Sequence, residues 1–152
     1  VHSRVKVPII AAGGFVDGRS MVAAFALGAE GIQLGTRMVS SKESPVHDSW
    51  QKAIVNAKET DTVFLNRFHS PALRALRTQR TSRLEKNPDI NAMTEFGAAR
   101  DLYFGGDMAA AIPLTGQVAG RIDAIRPVAE IIAEIRTEFF TELQDLARRY
   151  PR

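Results

Sequence analysis

The chain opens with two short apolar runs separated by one helix-length segment. Residues 7–12, bounded by Pro8 and Gly13, are apolar throughout. Such a run predicts a strand buried on both faces, as in a parallel sheet covered by helices. Asp17 then precedes a stretch in which Met21, Val22, Phe25 and Ala26 share a helical face, predicting a helix from about Arg19 to Leu27. Gly28 is placed to end it. The second run, Gly31 to Leu34, stops at Gly35. The unit reads as βαβ with a right-handed crossover.

The texture changes after Thr36. Residues 38–44 read as a connector. Residues 45–58 are amphipathic and predict a helix opened by Ser44-Pro45. Residues 61–68 form a short apolar piece of either type. Ser70-Pro71 is expected to start a helix running to Lys86, "NPD" at 87–89 to break it, and residues 90–99 to form another. "GGD" at 105–107 reads as a turn. Residues 113–122 carry small residues at Thr115, Gly116 and Gly120 within a possible helix. Arg126-Pro127 precedes a terminal helix to about Tyr150, apolar at Val128, Ile131, Ile132, Ile135, Phe139, Leu143 and Leu146. Two strands of buried character cannot make a covered sheet, and the chain begins without Met. The expectation is therefore the C-terminal piece of a larger α/β enzyme.

Composition narrows the function. At 152 residues with 45% hydrophobic and 24% charged positions, the chain has the size of an ordinary domain with a core. No stretch approaches the ~20 apolar residues of a bilayer span, and no targeting leader is visible. The absence of Cys excludes disulfides and thiolate metal sites and makes a reducing cytoplasm the default. The net charge of +3 invites a nucleic-acid reading. Yet Arg74, Arg77, Arg80, Arg83 and Lys86 recur as on one solvated helix face, without interleaved aromatics, so no nucleic acid is expected. An anionic cofactor suits the charge better.

The two glycine ends supply a place for one. A phosphate is well held by backbone N–H groups converging at helix starts, and glycine lets the backbone approach. "AAGG" at 11–14 and "LGTR" at 34–37 are two such ends, with the Thr36 hydroxyl as a further donor. Eight-stranded (β/α) barrels commonly build phosphate sites after their last two strands. Gly-Gly after a strand is also an ordinary tight turn, so the spacing of the pair carries the reading.

Residues 7–54, "VPIIAAGGFVDGRSMVAAFALGAEGIQLGTRMVSSKESPVHDSWQKAI", resemble the nitronate monooxygenase family, formerly 2-nitropropane dioxygenases. The likeness continues more weakly through "ALRALRTQ" and returns at "GGD" and "TGQVAGRI". The family also includes enoyl-acyl-carrier-protein reductase II and NADH:quinone reductases. The resemblance implies an α/β fold: the last two βα units of an FMN-binding TIM (β/α)8 barrel, a mostly helical second domain and a C-terminal helix. Residues 1–44 would be the barrel part, 45–122 the second domain and flavin-proximal segment, and 123–152 the helix packing on the barrel. Ala12, Gly13 and Gly14 would end strand seven, and Gln33, Leu34, Gly35 and Thr36 strand eight, together holding FMN. Gly116 and Gln117 match a stretch near the flavin ring.

The family's catalytic histidine lies upstream of the matched residues, so the resemblance assigns no catalytic residue here and implies that this chain alone is inactive. His47 reads as a packing or helix-start residue, His69 as a loop histidine and His2 as terminal. Asp17 and Asp107 read as a helix start and a turn residue. No metal-ligand spacing occurs. The implied activity is oxidation of alkyl nitronates with O2. The alternative is an FMN-dependent enoyl reductase II or quinone reductase with NAD(P)H as electron donor, and a phosphate-binding module is the non-catalytic alternative. Substrates would be small molecules (a nitronate, a quinone or an enoyl thioester), with a homodimer as the candidate assembly.

Overall fold

A computed structural model describes residues 4–151. His2 therefore lies outside the described residues. Strands β1 (Ile10–Ala12) and β2 (Gly31–Gln33) pair in parallel, with Ile10 opposite Gly31 and Ala12 opposite Gln33. Helix α1 (Gly18–Ala26) connects them. Asp17 and Ser20 form its capping box, and Gly28 turns the chain out at φ +94°. The predicted βαβ unit is present.

Its burial differs from expectation. Ile10 is 60% exposed and Val7 66%, because α1 packs chiefly against β2 and the pair has no further strand among the described residues. Apolar composition marks strands suited to a covered sheet, and these strands are not covered by this chain.

Met38 and Val39, expected within a connector, instead end a short helix, α2 (Thr36–Val39). Helix α3 (Asp48–Val55) begins later than Ser44-Pro45 because His47 is its cap, its Nδ1 accepting the Ser49 N–H at 3.2 Å. The histidine thus serves as a helix start. Strand β3 (Thr62–Leu65) pairs antiparallel with β4 (Leu73–Leu76). The predicted helix from Ser70 to Lys86 does not form as a whole: only α4 (Gln79–Lys86) is helical, opened by a Thr78–Thr81 capping box. Pairing with β3 on one side and Leu114 on the other overrides the helical spacing of the arginines. Arg74 consequently lies on a strand over the Phe64 ring, and the five basic residues share no single helix face.

Residues 90–99 do not form the predicted helix. Asn91 Oδ1 accepts from the Met93 N–H and from Asn66 Nδ2, and Asn66 Oδ1 takes the Ala92 N–H, so side-chain bonds, two of them from the distant Asn66, win over helix. Helix α5 (Ala99–Tyr103) follows, then an extended stretch at 113–115 and a 3-10 turn at Gln117–Arg121 in place of the possible helix at 113–122. The mostly helical region thus contains a sheet at its centre. Two apolar clusters fill it, one around Trp50, Ile54, Leu76 and Leu102, the other around Val63, Leu65, Leu84 and Ile112.

Helix α6 (Val128–Arg149) matches its prediction closely. Ile131 and Ile135 are buried, while Ile132, Phe140, Leu143 and Leu146 stay exposed. It lies against α1, where Phe25 meets Phe139 edge-on at 5.2 Å. Gly18 allows the approach, since a side chain there would strike the α6 backbone at Phe139. The Gly18 N–H donates to Glu138 Oε2 at 2.7 Å. Among the described residues no helix is long and apolar enough to cross a membrane. The excursion between α2 and α6 returns to its origin: the Lys42 N–H donates to the Arg126 carbonyl at 3.0 Å, and Glu43 Oε2 accepts the Val128 N–H at 2.9 Å.

Candidate functional site

The ends of β1 and β2 converge on one cavity. Ala12, Gly13, Gly14 and Phe15 form one wall, Gln33, Gly35 and Thr36 a second, and Gly116 with Val118 a third. Its volume is about 200 Å³, below the ~300–1,000 Å³ of pockets that enclose whole small molecules. The space suits a headgroup. A hollow of about 610 Å³ between Arg19 of α1 and helix α6 is larger, but Glu134, Glu138 and Glu142 line it, and its one cation, Arg19, is already paired with Glu138 and Glu142.

Backbone geometry makes the cavity. Gly13 and Gly14 stand at φ +93° and +85°, a region open to glycine and costly for other residues. A Cβ built on Gly13, Gly14 or Gly35 meets nothing within 4 Å, so all three border open space. Among the turn and loop hydrogen bonds of the described residues, none uses the N–H of Gly14, Phe15 or Gly35. Such N–H groups around a space that side chains would fill are what an oxyanion requires. The residues present therefore fit a phosphate group.

The third wall is tied to the second. The Gly116 N–H donates to Thr36 Oγ1 at 2.8 Å, which leaves the Thr36 hydroxyl proton for another acceptor. Beside Thr36, Arg37 is only 5% exposed. Its Nη1 donates to Ser40 Oγ at 3.1 Å and to the Ala124 carbonyl at 2.9 Å, with no carboxylate at ion-pair distance among the described residues. Burial, and then the nearby Arg126, lower its pKa, with Asp123 and Glu134 opposing. A guanidinium stays charged despite such a shift, so a fixed cation stands one residue from the cavity wall.

Of the residues read from sequence, Ala12, Gly13, Gly14, Gln33, Gly35, Thr36 and Gly116 come together. Leu34 and Gln117 do not line the cavity. Leu34 follows Gln33, and alternation along an extended chain turns it to the other side. Gln117 is exposed at the start of the 3-10 turn. Phe15 and Val118 are lining residues that sequence reasoning missed. Phe15 directly follows the two glycines, whereas Val118 reaches the wall only because 116–118 turns tightly. His47 and His69 lie elsewhere. His47 caps α3, and His69 Nε2 sits 2.8 Å from the Asp89 carbonyl oxygen. Asp17 caps α1, and Asp107 holds a turn through the Ala109 N–H.

Known proteins resemble this chain over most of its length. The family model for nitronate monooxygenase matches residues 1–138. A "Probable nitronate monooxygenase" of Staphylococcus aureus strain Newman is 44% identical over 72 residues, 47% of this chain and 20% of that protein. FabK from Thermotoga maritima superposes with a TM-score of 0.89 at 40% identity, over 99% of this chain and 50% of the FabK chain. The nitroalkane oxidase of Streptomyces ansochromogenes shares the fold, with a TM-score of 0.73 at 23% identity over 93% of this chain and 42% of that one. This chain thus spans half the length of the FabK chain and a fifth of the S. aureus protein.

Proposed function

Because the chain belongs to the nitronate monooxygenase family, a family of oxidoreductases, we propose that its glycine-walled cavity holds the phosphate of FMN. The observation that carries the reading is the convergence of Gly13, Gly14, Gly35 and Thr36 on one open space. In it, Gly14 and Gly35 offer N–H groups, Thr36 a hydroxyl proton, and Arg37 a buried positive charge behind them. Gly116 and Val118 complete the lining. When bound, the flavin supplies the redox chemistry, and the protein positions it. We assign the activity to oxidation of alkyl nitronates with O2. A second reading, enoyl-acyl-carrier-protein reduction with NAD(P)H, is favoured by the likeness to FabK across almost the whole chain.

In this proposal β1 and β2 are neighbouring strands of a (β/α)8 barrel, with residues 1–44 as barrel, 45–122 as the second domain and 123–152 as the helix against it. The base that abstracts a proton from substrate comes from other strands of that barrel, since both described histidines serve structure.

Gly14→Val tests the cradle. The branched side chain enters the space left for phosphate oxygens and resists φ +85°. FMN affinity should fall by about 30- to 1000-fold, as expected for losing roughly 2–4 kcal/mol of charge-assisted hydrogen bonds. FMN fluorescence titration beside melting curves reads both quantities. A lower melting temperature with unchanged affinity of the folded protein would sink the cradle.

A further inference from the structure

Trp50, the only tryptophan in the chain, does not touch the cavity, yet it is the first link in a series of bonds that ends there. It sits on α3 at 1% exposure, edge-on to Tyr103 with ring centroids 4.9 Å apart. A buried indole N–H needs an acceptor. Here Nε1 donates to Thr115 Oγ1 at 3.2 Å. The same hydroxyl donates to the Pro113 carbonyl at 3.1 Å, so both its acceptor and its donor functions are used. The Thr115 N–H donates to the Arg74 carbonyl at 3.0 Å. Residue 115 is thereby held through side chain and backbone together. The next residue, Gly116, gives its N–H to Thr36 Oγ1.

We propose that Trp50 is a positioning residue for the cavity. Through Thr115 it holds Gly116 where the Gly116 N–H occupies the Thr36 oxygen and directs the Thr36 proton to a bound oxyanion. The inference rests on the phosphate-cradle reading. It adds that anion affinity depends on a core side chain of the 45–122 region, so that region takes part in binding through its packing.

A double-mutant cycle tests it, using the whole chain and FMN fluorescence with melting curves on every variant. Trp50→Phe keeps an aromatic ring and removes the N–H. It should weaken FMN binding about three- to tenfold, the range of one neutral hydrogen bond. In a Thr36→Val background the same change should alter affinity by less than about twofold, because the hydroxyl it orients is gone. Thr115→Val should reproduce the loss and the coupling with the indole still in the core, and so carries the test if Trp50→Phe melts early. Thr115→Ser, which keeps the hydroxyl, should restore wild-type affinity. Equal losses with and without the Thr36 hydroxyl would reduce Trp50 to a core residue and overturn the proposal, as would unchanged affinity in both Trp50→Phe and Thr115→Val. A wild-type chain that binds no FMN would overturn the cradle reading itself, and this inference with it.

Discussion

Strands β1 and β3 are both short and apolar, yet Ile10 on β1 is 60% exposed while Val63 on β3 is fully buried. The difference lies in what surrounds them. β3 has β4 beside it and Leu84, Ala92 and Ile112 packed with it, all from the same chain. β1 has α1 on one side, and its flank toward Ala23, Leu27 and Ala29 is an apolar hollow of about 440 Å³. An apolar strand thus reports the environment it is suited to, and the chain at hand decides whether that environment is met. One region closes its own core, and the other presents a binding cavity on an uncovered sheet.

The sharpest way to break this contrast is truncation at matched positions. Ile54→Ala, inside the closed region, should cost about 2–5 kcal/mol of unfolding free energy. Ile10→Ala, on the open strand, should stay within about 0.5 kcal/mol. Urea melts of both variants measure it, and similar losses would mean that β1 is covered in solution. A second test follows from that outcome. The exposed Val7, Ile10 and Leu27 should bind a hydrophobic dye and drive self-association, while Leu65 and Ile112 should not contribute. Dye titration and sedimentation of a Val7→Thr, Ile10→Thr, Leu27→Gln variant should show both properties reduced. A wild-type chain that sediments as a clean monomer without dye binding would remove the contrast.

The smallest effects compare helix starts. Asp17 and Thr78 each close a capping box, one in each region. Alanine at either should cost about 1 kcal/mol, and the exposed ion pair of Asp17 with Arg121 should add little. Thermal melts that show a much larger loss at Asp17 would mean that α1 is held mainly by its cap rather than by its packing on α6.

What could be read from the sequence follows the same division. α1 and α6 were legible because local signals agree: Asp17 and Gly28 bracket one, and a long 3.6-residue apolar period runs through the other. The glycine ends were legible because backbone approach depends on glycine itself. β4 was not, since arginines three apart suit a helix and only pairing with β3 and Leu114 makes residues 73–76 extended. The Asn66–Asn91 interlock that replaces the predicted helix at 90–99 joins residues far apart, and no local pattern announces it. Val118 was missed for a related reason, because its place on the cavity wall depends on how 116–118 docks against Thr36.

The bond from Gly18 to Glu138 also bears on the order in which the molecule assembles. Its two partners lie 120 residues apart, so α1 receives this acceptor only after Glu138 has left the ribosome. Contacts of such sequence separation slow folding, because a long loop must close before they form. The meeting of Lys42 with Arg126 shortens that search. Once the 45–122 region has folded, its two ends lie side by side, and the remaining closure spans only the helices that flank them. The region then acts as a clasp that keeps the segments carrying α1 and α6 within reach of each other.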